Sequence, residues 1–240
     1  MNNKDNKNHS KISKKSVVLT PDFVAKNIYD NVKNFPFKKI LDVGCYNGNL
    51  SQFFKRKKNA EVIGLDIDDE YKVNFDKFLH LDFLTCKKED FDFKPDLILT
   101  NPPFGMNKEN KALYPDLFLK KIFELWGKNI PVILIAGHWF LSNSSSRIEF
   151  LNSCNITKTT TLHKRTFENC DVNVEASILY FNIKQKIKYD ILDIQKVDKK
   201  QQFKTVAFSH KQMDYIKNNI ENFSGEVKNL LKEKYKDFPI

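Results

Sequence analysis

Four consecutive residues, Asn101, Pro102, Pro103 and Phe104, have the types and the order needed to hold a flat ring that carries an amine. An amine conjugated to an aromatic base is a poor nucleophile, because its lone pair is delocalised into the ring. The side-chain oxygen of Asn101 and the carbonyl of Pro102 can each accept one amine hydrogen and direct the lone pair toward an incoming methyl group. The prolines stiffen the turn without adding a donor, and Phe104 offers a face for a base extruded from its stack. This tetrapeptide therefore predicts a catalytic site for methyl transfer to nitrogen, the alternative being a rigid loop after a strand.

A second turn, from Asp42 to Gly48, follows an apolar run. Gly44 and Gly48 allow a positive φ and a close approach of the backbone to a ligand, which side chains would obstruct. Asp42 would then lie near the charged amino-acid part of a nucleoside cofactor, whereas Tyr46 stands where such turns usually have glycine. Alone, the pattern is also that of an ordinary turn with two glycines. With the tetrapeptide, it predicts a doubly wound sheet that holds a cofactor beside an amine.

Two further acidic residues follow later apolar runs. Asp66 comes at the distance past the glycine turn where a carboxylate accepts hydrogen bonds from both ribose hydroxyls. A helix N-cap is its alternative role, and Asp68 and Asp69 compete with it for the ribose. Asp82 would accept from the amine of an adenine with the Phe83 ring beside it, although a surface Asp before a core Phe is equally common.

Apolar runs with strand spacing alternate with runs of helical spacing, which predicts an α/β, Rossmann-like fold. The expected sheet has seven mostly parallel strands and ends in an antiparallel hairpin. The predicted strands are residues 40–43, 62–65, 78–81, 95–100, 131–136, 156–162 and 176–183. Helices are predicted after Thr20-Pro21, at 50–54, at 117–126 and around Phe150.

Residues 18 to about 184 resemble the S-adenosylmethionine-dependent amino-methyltransferases, most closely the adenine-N6 DNA methyltransferases of gamma motif order from restriction-modification systems. The Asn-Pro-Pro-Phe sequence matches the catalytic tetrapeptide of those enzymes, the NPPF motif. Their first motif often reads Asp-Pro-x-Cys-Gly-x-Gly, in which Asp42, Cys45 and Gly48 match while Val43 and Tyr46 depart. The resemblance implies S-adenosyl-L-methionine as the cofactor.

The same resemblance extends the predicted site beyond the two turns. Thr20 and Pro21 match a helix start that packs over the methionine end of the cofactor in that family. The block from Trp139 to Phe181 resembles its late motifs, in which a Phe sandwiches the flipped adenine; Phe167 occupies that place, although by composition alone it would more often be core. The predicted cofactor contacts are Thr20, Pro21, Asp42, Gly44, Tyr46, Gly48, Asp66, Ile67, Asp82, Phe83 and Asn101, and the predicted base-stacking residues are Phe104 and Phe167.

The four cysteines, Cys45, Cys86, Cys154 and Cys170, bear on the mechanism. Cytosine carbon-5 enzymes need a cysteine nucleophile after a proline, and none of these four follows a proline. They also lack paired metal-ligand spacing. We therefore expect direct transfer to nitrogen, with neither a metal nor a covalent intermediate.

The segment after the late block, residues 185–240, does not decide between DNA and other substrates. Family members that read a DNA sequence alone usually carry a large recognition domain there, but only residues 185–240 follow. A separate specificity or partner subunit, a permissive enzyme or an RNA substrate would each account for this. Ribosomal RNA adenine-N6 and guanine-N2 methyltransferases and glutamine-amide methyltransferases of release factors carry similar tetrapeptides, and a non-catalytic partner subunit is a further alternative. Phe at position 104 and the late block favour a nucleobase, with DNA ahead of RNA.

The net charge of +10 is concentrated at the two ends of the sequence. Residues 1–16 hold five Lys and one Asp, and residues 185–240 hold twelve Lys and eight acidic residues. Basic ends suit a phosphate backbone, while a Lys-rich surface also serves solubility. We predict a disordered basic tail at 1–16, the methyltransferase domain at 17–184 and a small polar, partly helical appendage at 185–240. No secretion signal or membrane span is predicted, so the expected location is the cytoplasm, or the nucleoid in a prokaryote.

Overall fold

The computed structural model of the chain describes residues 18–57, 60–107, 111–142, 144–168 and 174–193. The predictions for the tail at 1–16, for Cys170 and for most of the appendage at 185–240 fall outside these residues. Within the described ranges, no helix combines the length and the apolar character needed to cross a membrane.

Strands and α-helices alternate over much of the described chain, with only 3-10 turns on either side of the third strand. The helices are α1 (Asp22–Val32), α2 (Gln52–Arg56), α3 (Tyr114–Trp126), α4 (Trp139–Ser142) and α5 (Ser145–Asn152). The strands are β1 (Lys39–Val43), β2 (Glu61–Asp66), β3 (Lys77–His80), β4 (Leu97–Thr100), β5 (Val132–Gly137), β6 (Ile156–Leu162), β7 (Ala176–Phe181) and β8 (Tyr189–Leu192). Short 3-10 turns lie at Lys72–Asn74, Phe83–Thr85 and Lys88–Asp90. Every predicted strand is present, with ends that differ by at most two residues.

The strands form one mixed sheet in the order β3-β2-β1-β4-β5-β7-β6-β8. Strands β1 to β5 pair in parallel, and β7 inserts antiparallel between β5 and β6. This arrangement confirms the predicted Rossmann-like sheet with its terminal antiparallel hairpin. The sheet contains eight described strands rather than seven, because β8 adds to β6 in parallel.

The sheet is covered on both faces, which explains why its central strands are apolar throughout. Every residue of β4 and β5 is buried. Alternate side chains of β1 enter opposite cores: Leu41 packs in the cluster that contains Ile122 of α3, and Ile40 packs in the cluster that contains Ile28 of α1. The two clusters bury both faces of the central strands and so fix the positions of their carboxyl ends.

Helix α1 follows directly on the short segment from Val18 to Pro21. Pro21 is the N-cap residue, and its carbonyl accepts from the backbone nitrogens of Val24 and Ala25, each at 3.0 Å. Proline suits this position because its missing N–H would have no helical partner. Since Val24 and Ala25 are fully buried, the start of α1 is fixed against the core.

The eighth strand was missed in the sequence because its signal is short and polar. Strand β8 has four residues and alternates exposed with half-buried positions. It is held by an ion pair that sequence spacing does not reveal: Lys158 of β6 is 97% buried and lies 2.8 Å from a carboxylate oxygen of Asp190. The Lys158 ammonium also donates to Asn31 Oδ1 of α1 at 2.7 Å.

Replacing Asp190 with Ala should destabilise the protein by about 2 kcal/mol, because Lys158 would keep a buried charge with one partner removed. The measurement is the free energy of unfolding in urea. Asp92→Ala is the control, since Asp92 pairs with Lys77 at the surface with a side chain 76% exposed, and such pairs contribute less than about 1 kcal/mol. Equal losses in the two variants would contradict the role given to Asp190.

Candidate active site

The carboxyl ends of β1 and β4 lie side by side at the point where the strand order reverses. Strand β1 pairs with β2 on one side and with β4 on the other. Ligands of open α/β sheets bind at such a switch point, outside the carboxyl ends of the strands. The two ends are tied together because the Thr100 hydroxyl donates to the Val43 carbonyl at 2.9 Å. Gly44 and Asn101, the next residue after each strand, therefore start from neighbouring positions.

A cavity of about 650 Å³ opens at this switch point. The predicted site residues that line it are Thr20, Asp42, Gly44, Tyr46, Asp66, Ile67, Asp82, Phe83, Asn101 and Pro103. The remaining predicted site residues, Pro21, Gly48, Pro102, Phe104 and Phe167, are not part of its lining. The glycine turn and the tetrapeptide bend thus share one cavity.

The glycine turn adopts a backbone in which Tyr46 takes a conformation more usual for glycine. Positive φ angles alternate along it, at +66° for Gly44, 42° for Tyr46 and +80° for Gly48. A non-glycine residue in this region costs about 1 kcal/mol. The strain is offset by the Tyr46 N–H, which donates to Asp66 Oδ2 at 2.8 Å, and by the Tyr46 ring, which lies 4.8 Å from the Tyr71 ring between centroids. Tyr46 is therefore accommodated at a turn position where the backbone conformation favours glycine.

Asp66 joins the glycine turn to the end of β2. Its Oδ2 accepts from Tyr46 and its Oδ1 accepts from the backbone nitrogen of Asp68 at 3.0 Å. The second bond closes a turn over two residues, so Asp66 caps a turn rather than a helix. Burial raises the pKa of the Asp66 carboxyl, and hydrogen bonds from the backbone of Tyr46, Asp68 and Ile67 offset part of that rise. Each oxygen keeps a lone pair with which to accept from a ligand hydroxyl.

Asp42 is a fully buried carboxyl at the floor of the cavity. Neither of its oxygens completes a hydrogen bond with any described residue. Burial raises its pKa from 3.8 to about 7, the neighbouring Ser51 offsets part of the rise, and the charge of Asp66 adds to it. A cation or donor that enters the cavity would stabilise the anion of this carboxyl further.

Asp82, Phe83 and Ile67 form another part of the lining. Asp82 Oδ1 accepts from the Leu84 nitrogen at 3.0 Å and so caps the 3-10 turn. Phe83 is 98% buried and stacks against Trp126 with centroids 6.4 Å apart, which makes it core as well as cavity wall. Ile67 is 47% exposed. An apolar side chain exposed inside a cavity offers a surface for a flat ring.

Asn101 lines the cavity and carries one buried acceptor that no described residue satisfies. Its side-chain nitrogen donates to the Val18 carbonyl at 2.9 Å and to the Thr20 hydroxyl at 3.1 Å. Its side-chain oxygen, Oδ1, is buried and has no hydrogen-bond partner among the described residues. Nearly all buried polar atoms have partners, which makes this oxygen a candidate acceptor for a donor on a ligand.

Phe104 and Phe167 contact each other directly. Their ring centroids are 5.6 Å apart and the rings meet edge to face at 76°, with Phe167 fully buried. A base between two rings needs them parallel and about 7 Å apart, twice the carbon contact distance. The rings as they stand leave no slot for a base between them, and the sandwich remains a prediction that requires them to separate.

Neither a known sequence family nor a curated protein matches this chain, but solved structures resemble it. One is a protein from Listeria monocytogenes assigned to the class I S-adenosylmethionine-dependent methyltransferases. It superposes with a TM-score of 0.58 at 16% identity, over 89% of this chain and 73% of that one.

The fold is that of the class I methyltransferases. A modification subunit assigned to a type I restriction enzyme of Vibrio vulnificus superposes with a TM-score of 0.57 at 13% identity, over 87% of this chain and 54% of that one. A dimethyladenosine transferase from Plasmodium falciparum gives a TM-score of 0.51 at 19% identity, over 69% of this chain and 62% of that one. At these identities the likeness establishes the fold.

In this methyltransferase fold, one wall of the cavity was not anticipated from the sequence. It is formed by α3, through Leu117, Lys120, Lys121 and Glu124 among others. Helical spacing identified α3 as amphipathic but does not indicate which part of its surface borders a cavity. Asn49, in the turn after β1, also lines the cavity, and its place just past Gly48 was the available signal.

Proposed function

We propose that the protein transfers a methyl group from S-adenosylmethionine to the exocyclic N6 amine of adenine in DNA, acting directly on a base turned out of the duplex. Asn101 and the Pro102 carbonyl would accept the two amine hydrogens, and Phe104 would stack on the base. The proposal rests on the class I methyltransferase fold together with the resemblance of residues 18 to 184 to adenine-N6 enzymes.

One observation carries most of this proposal: the free oxygen of Asn101. A buried acceptor without a partner lies in the wall of the same cavity as Asp42 and Asp66. A substrate amine that enters the cavity would donate a hydrogen bond to this oxygen. That bond would help to draw the nitrogen lone pair out of conjugation with the ring. A rigid structural loop would have no need for such an atom, because an unmet buried acceptor costs about 1 to 3 kcal/mol.

The cavity fits S-adenosylmethionine in size and charge. Its volume of about 650 Å³ lies within the range of ligand sites for small molecules, roughly 300 to 1,000 Å³. The carboxyl groups of Asp42, Asp66 and Asp82 line it at the ends of three neighbouring strands. An acidic cavity attracts a cation, and the cofactor carries a sulfonium and an ammonium group.

Each acidic residue has a distinct proposed role. Asp42 would face the ammonium of the methionine part, which provides the counter-charge that the buried carboxyl lacks. Asp66 would accept from the ribose hydroxyls while it keeps the Tyr46 turn in place, and Ile67 would pack against the adenine ring. When bound, the cofactor supplies an activated methyl group on a positively charged sulfur.

The nucleophile in this proposal is the substrate nitrogen rather than a side chain of the protein. Cys45 lines the cavity, but burial raises the pKa of its thiol and the nearby charges of Asp42 and Asp66 raise it further. A protonated thiol is a weak nucleophile. Asn101 and the Pro102 carbonyl would therefore act by orienting the amine, which is a preorganised electrostatic contribution.

DNA is favoured as the substrate over RNA. The Vibrio neighbour is a modification subunit of a restriction enzyme, and Phe at position 104 and the late block favour a nucleobase. The chain covers only 54% of that neighbour, so a separate specificity or partner subunit is part of the proposal.

An RNA substrate is the second candidate. The Plasmodium neighbour is a dimethyladenosine transferase, and the tetrapeptide also resembles that of ribosomal RNA adenine-N6 methyltransferases. The same acceptor geometry would serve a guanine-N2 amine or a glutamine amide, since both are conjugated nitrogens. A non-catalytic partner subunit would not require the free oxygen of Asn101.

The substrate is tested by incubating the protein with S-adenosylmethionine labelled in the methyl group and, separately, with duplex DNA, total RNA or release factor. We expect label in DNA. Label confined to RNA or to protein would show that DNA is not the substrate. If calorimetry detects no binding of S-adenosylmethionine, the proposal that the protein is a methyltransferase would be wrong.

Replacing Asp66 with Ala should weaken S-adenosylmethionine binding by about 1 to 3 kcal/mol, the effect of losing an acceptor opposite buried donors. The Tyr46 turn would also lose its anchor. Calorimetric titration measures the affinity, and Asp68→Ala is the matched control because Asp68 lines the same cavity. A normal affinity in Asp66→Ala with a loss in Asp68→Ala would assign the ribose to Asp68 instead.

A further inference from the structure

The Asn101 amide is held in one orientation by the segment that precedes α1. Its nitrogen donates one hydrogen to the Val18 carbonyl at 2.9 Å and the other to the Thr20 hydroxyl at 3.1 Å. A carbonyl can only accept, so rotation of the amide by half a turn would set two oxygens against each other at Val18. Both hydrogens are thereby used, and Oδ1 is left as a buried acceptor without a partner among the described residues.

The segment that orients Asn101 is itself anchored on two sides. Thr20 is 96% buried, and its carbonyl accepts from Asn49 Nδ2 at 3.3 Å. Pro21 and the buried first turn of α1 follow directly. Val18, Thr20, Asn49 and Asn101 all line the cavity. The segment therefore links the turn after β1, where the cofactor is proposed to bind, with the bend after β4.

We propose that Thr20 and the Val18 carbonyl are positioning groups that lock the Asn101 amide with its acceptor oxygen toward the substrate amine. This inference rests on the proposed function for the role of Asn101, and it gives Thr20 this task in place of the cofactor contact implied by resemblance. The terminal torsion of an asparagine is broad when nothing restrains it. Without the hydroxyl, the amide has one anchor and its oxygen is misdirected for part of the time.

The test uses two substitutions at one position. Thr20→Val removes the hydroxyl and keeps the shape of the side chain, whereas Thr20→Ser keeps the hydroxyl. The single-turnover rate of methyl transfer to duplex DNA should fall about tenfold in Thr20→Val, the effect of one neutral hydrogen bond, and return to within about threefold in Thr20→Ser. The dissociation constant of S-adenosylmethionine should change less than about threefold in both variants.

An unchanged rate in Thr20→Val would overturn the proposal. So would a loss that appears entirely in cofactor affinity, because Thr20 would then act on the cofactor. Rescue by Thr20→Ser separates the hydroxyl from a merely structural role of the side chain.

A second measurement needs no turnover. The side-chain amide protons of Asn101, assigned by their disappearance in Asn101→Ala, should exchange slowly with solvent in the ¹⁵N-labelled wild-type protein. One of them should exchange at least about tenfold faster in Thr20→Val, since a hydrogen bond protects it. Unchanged exchange would refute the positioning role. If exchange is faster in Thr20→Val but the wild-type protein methylates no substrate, the positioning role of Thr20 would stand and the proposed function would be wrong.

Discussion

Asn101→Ala is expected to lower the single-turnover rate of methyl transfer by about 10²- to 10³-fold, the range found when one preorganised hydrogen-bonding group is removed from an active site. The affinity for S-adenosylmethionine should stay within about threefold. The reason is that the variant removes Oδ1, an unpartnered acceptor, and leaves Asp42 and Asp66 in place. Quenched-flow rates and calorimetric titration measure the two quantities separately.

The matched control is Asn155→Ala. Asn155 is exposed, donates to the Asn182 side chain at 3.2 Å and does not line the cavity, so its loss should leave both quantities near the wild-type values. Normal turnover in Asn101→Ala would remove the tetrapeptide from the mechanism. A loss confined to cofactor binding would give Asn101 a different task.

Asp42→Asn is expected to change how stability depends on pH. Burial raises the pKa of Asp42 from 3.8 to about 7, so the folded state holds this proton more tightly than the unfolded state does. Stability is therefore lost as the pH rises from about 4 to about 7, by up to roughly 4 kcal/mol. An amide does not ionise, so the stability of the variant should decrease much less over this pH range. Urea unfolding of the ligand-free protein at a series of pH values measures it.

One neighbour and one control define the result for Asp42. The pKa of Asp66 is also raised by burial, so a smaller fall with the same sign should persist in the variant. Asp92→Asn is the control, because Lys77 lowers the pKa of that exposed carboxyl and its loss should leave the fall in place. A wild-type pH slope in Asp42→Asn would show that the carboxyl is not buried as a lone acid.

Much of the architecture follows from local patterns in the sequence. Strands such as β4 and β5 are apolar at every position and bounded by turn residues, which identifies buried parallel strands. Asp42 and Asn101 fall directly at strand ends, and parallel strands bring their carboxyl ends to one edge. The shared cavity at that edge was therefore predictable from order and spacing.

Other features depend on contacts between distant residues. The orientation of Asn101 is set by Val18, 83 positions earlier in the chain, and β8 is fixed by an ion pair between Asp190 and Lys158. Such long-range contacts leave no periodic pattern in the sequence. The edge-to-face contact of Phe104 with Phe167 likewise comes from packing, since the sequence identifies aromatic residues but not the angle between their rings.

The most direct test of the account is the chemical identity of the methylated atom. Duplex DNA would be incubated with the protein and S-adenosylmethionine labelled in its methyl group, digested to nucleosides and analysed by mass spectrometry, with Asn101→Ala in parallel. We expect labelled N6-methyladenine from the wild-type protein and nearly none from the variant. Label on another atom, or equal label from both proteins, would contradict it.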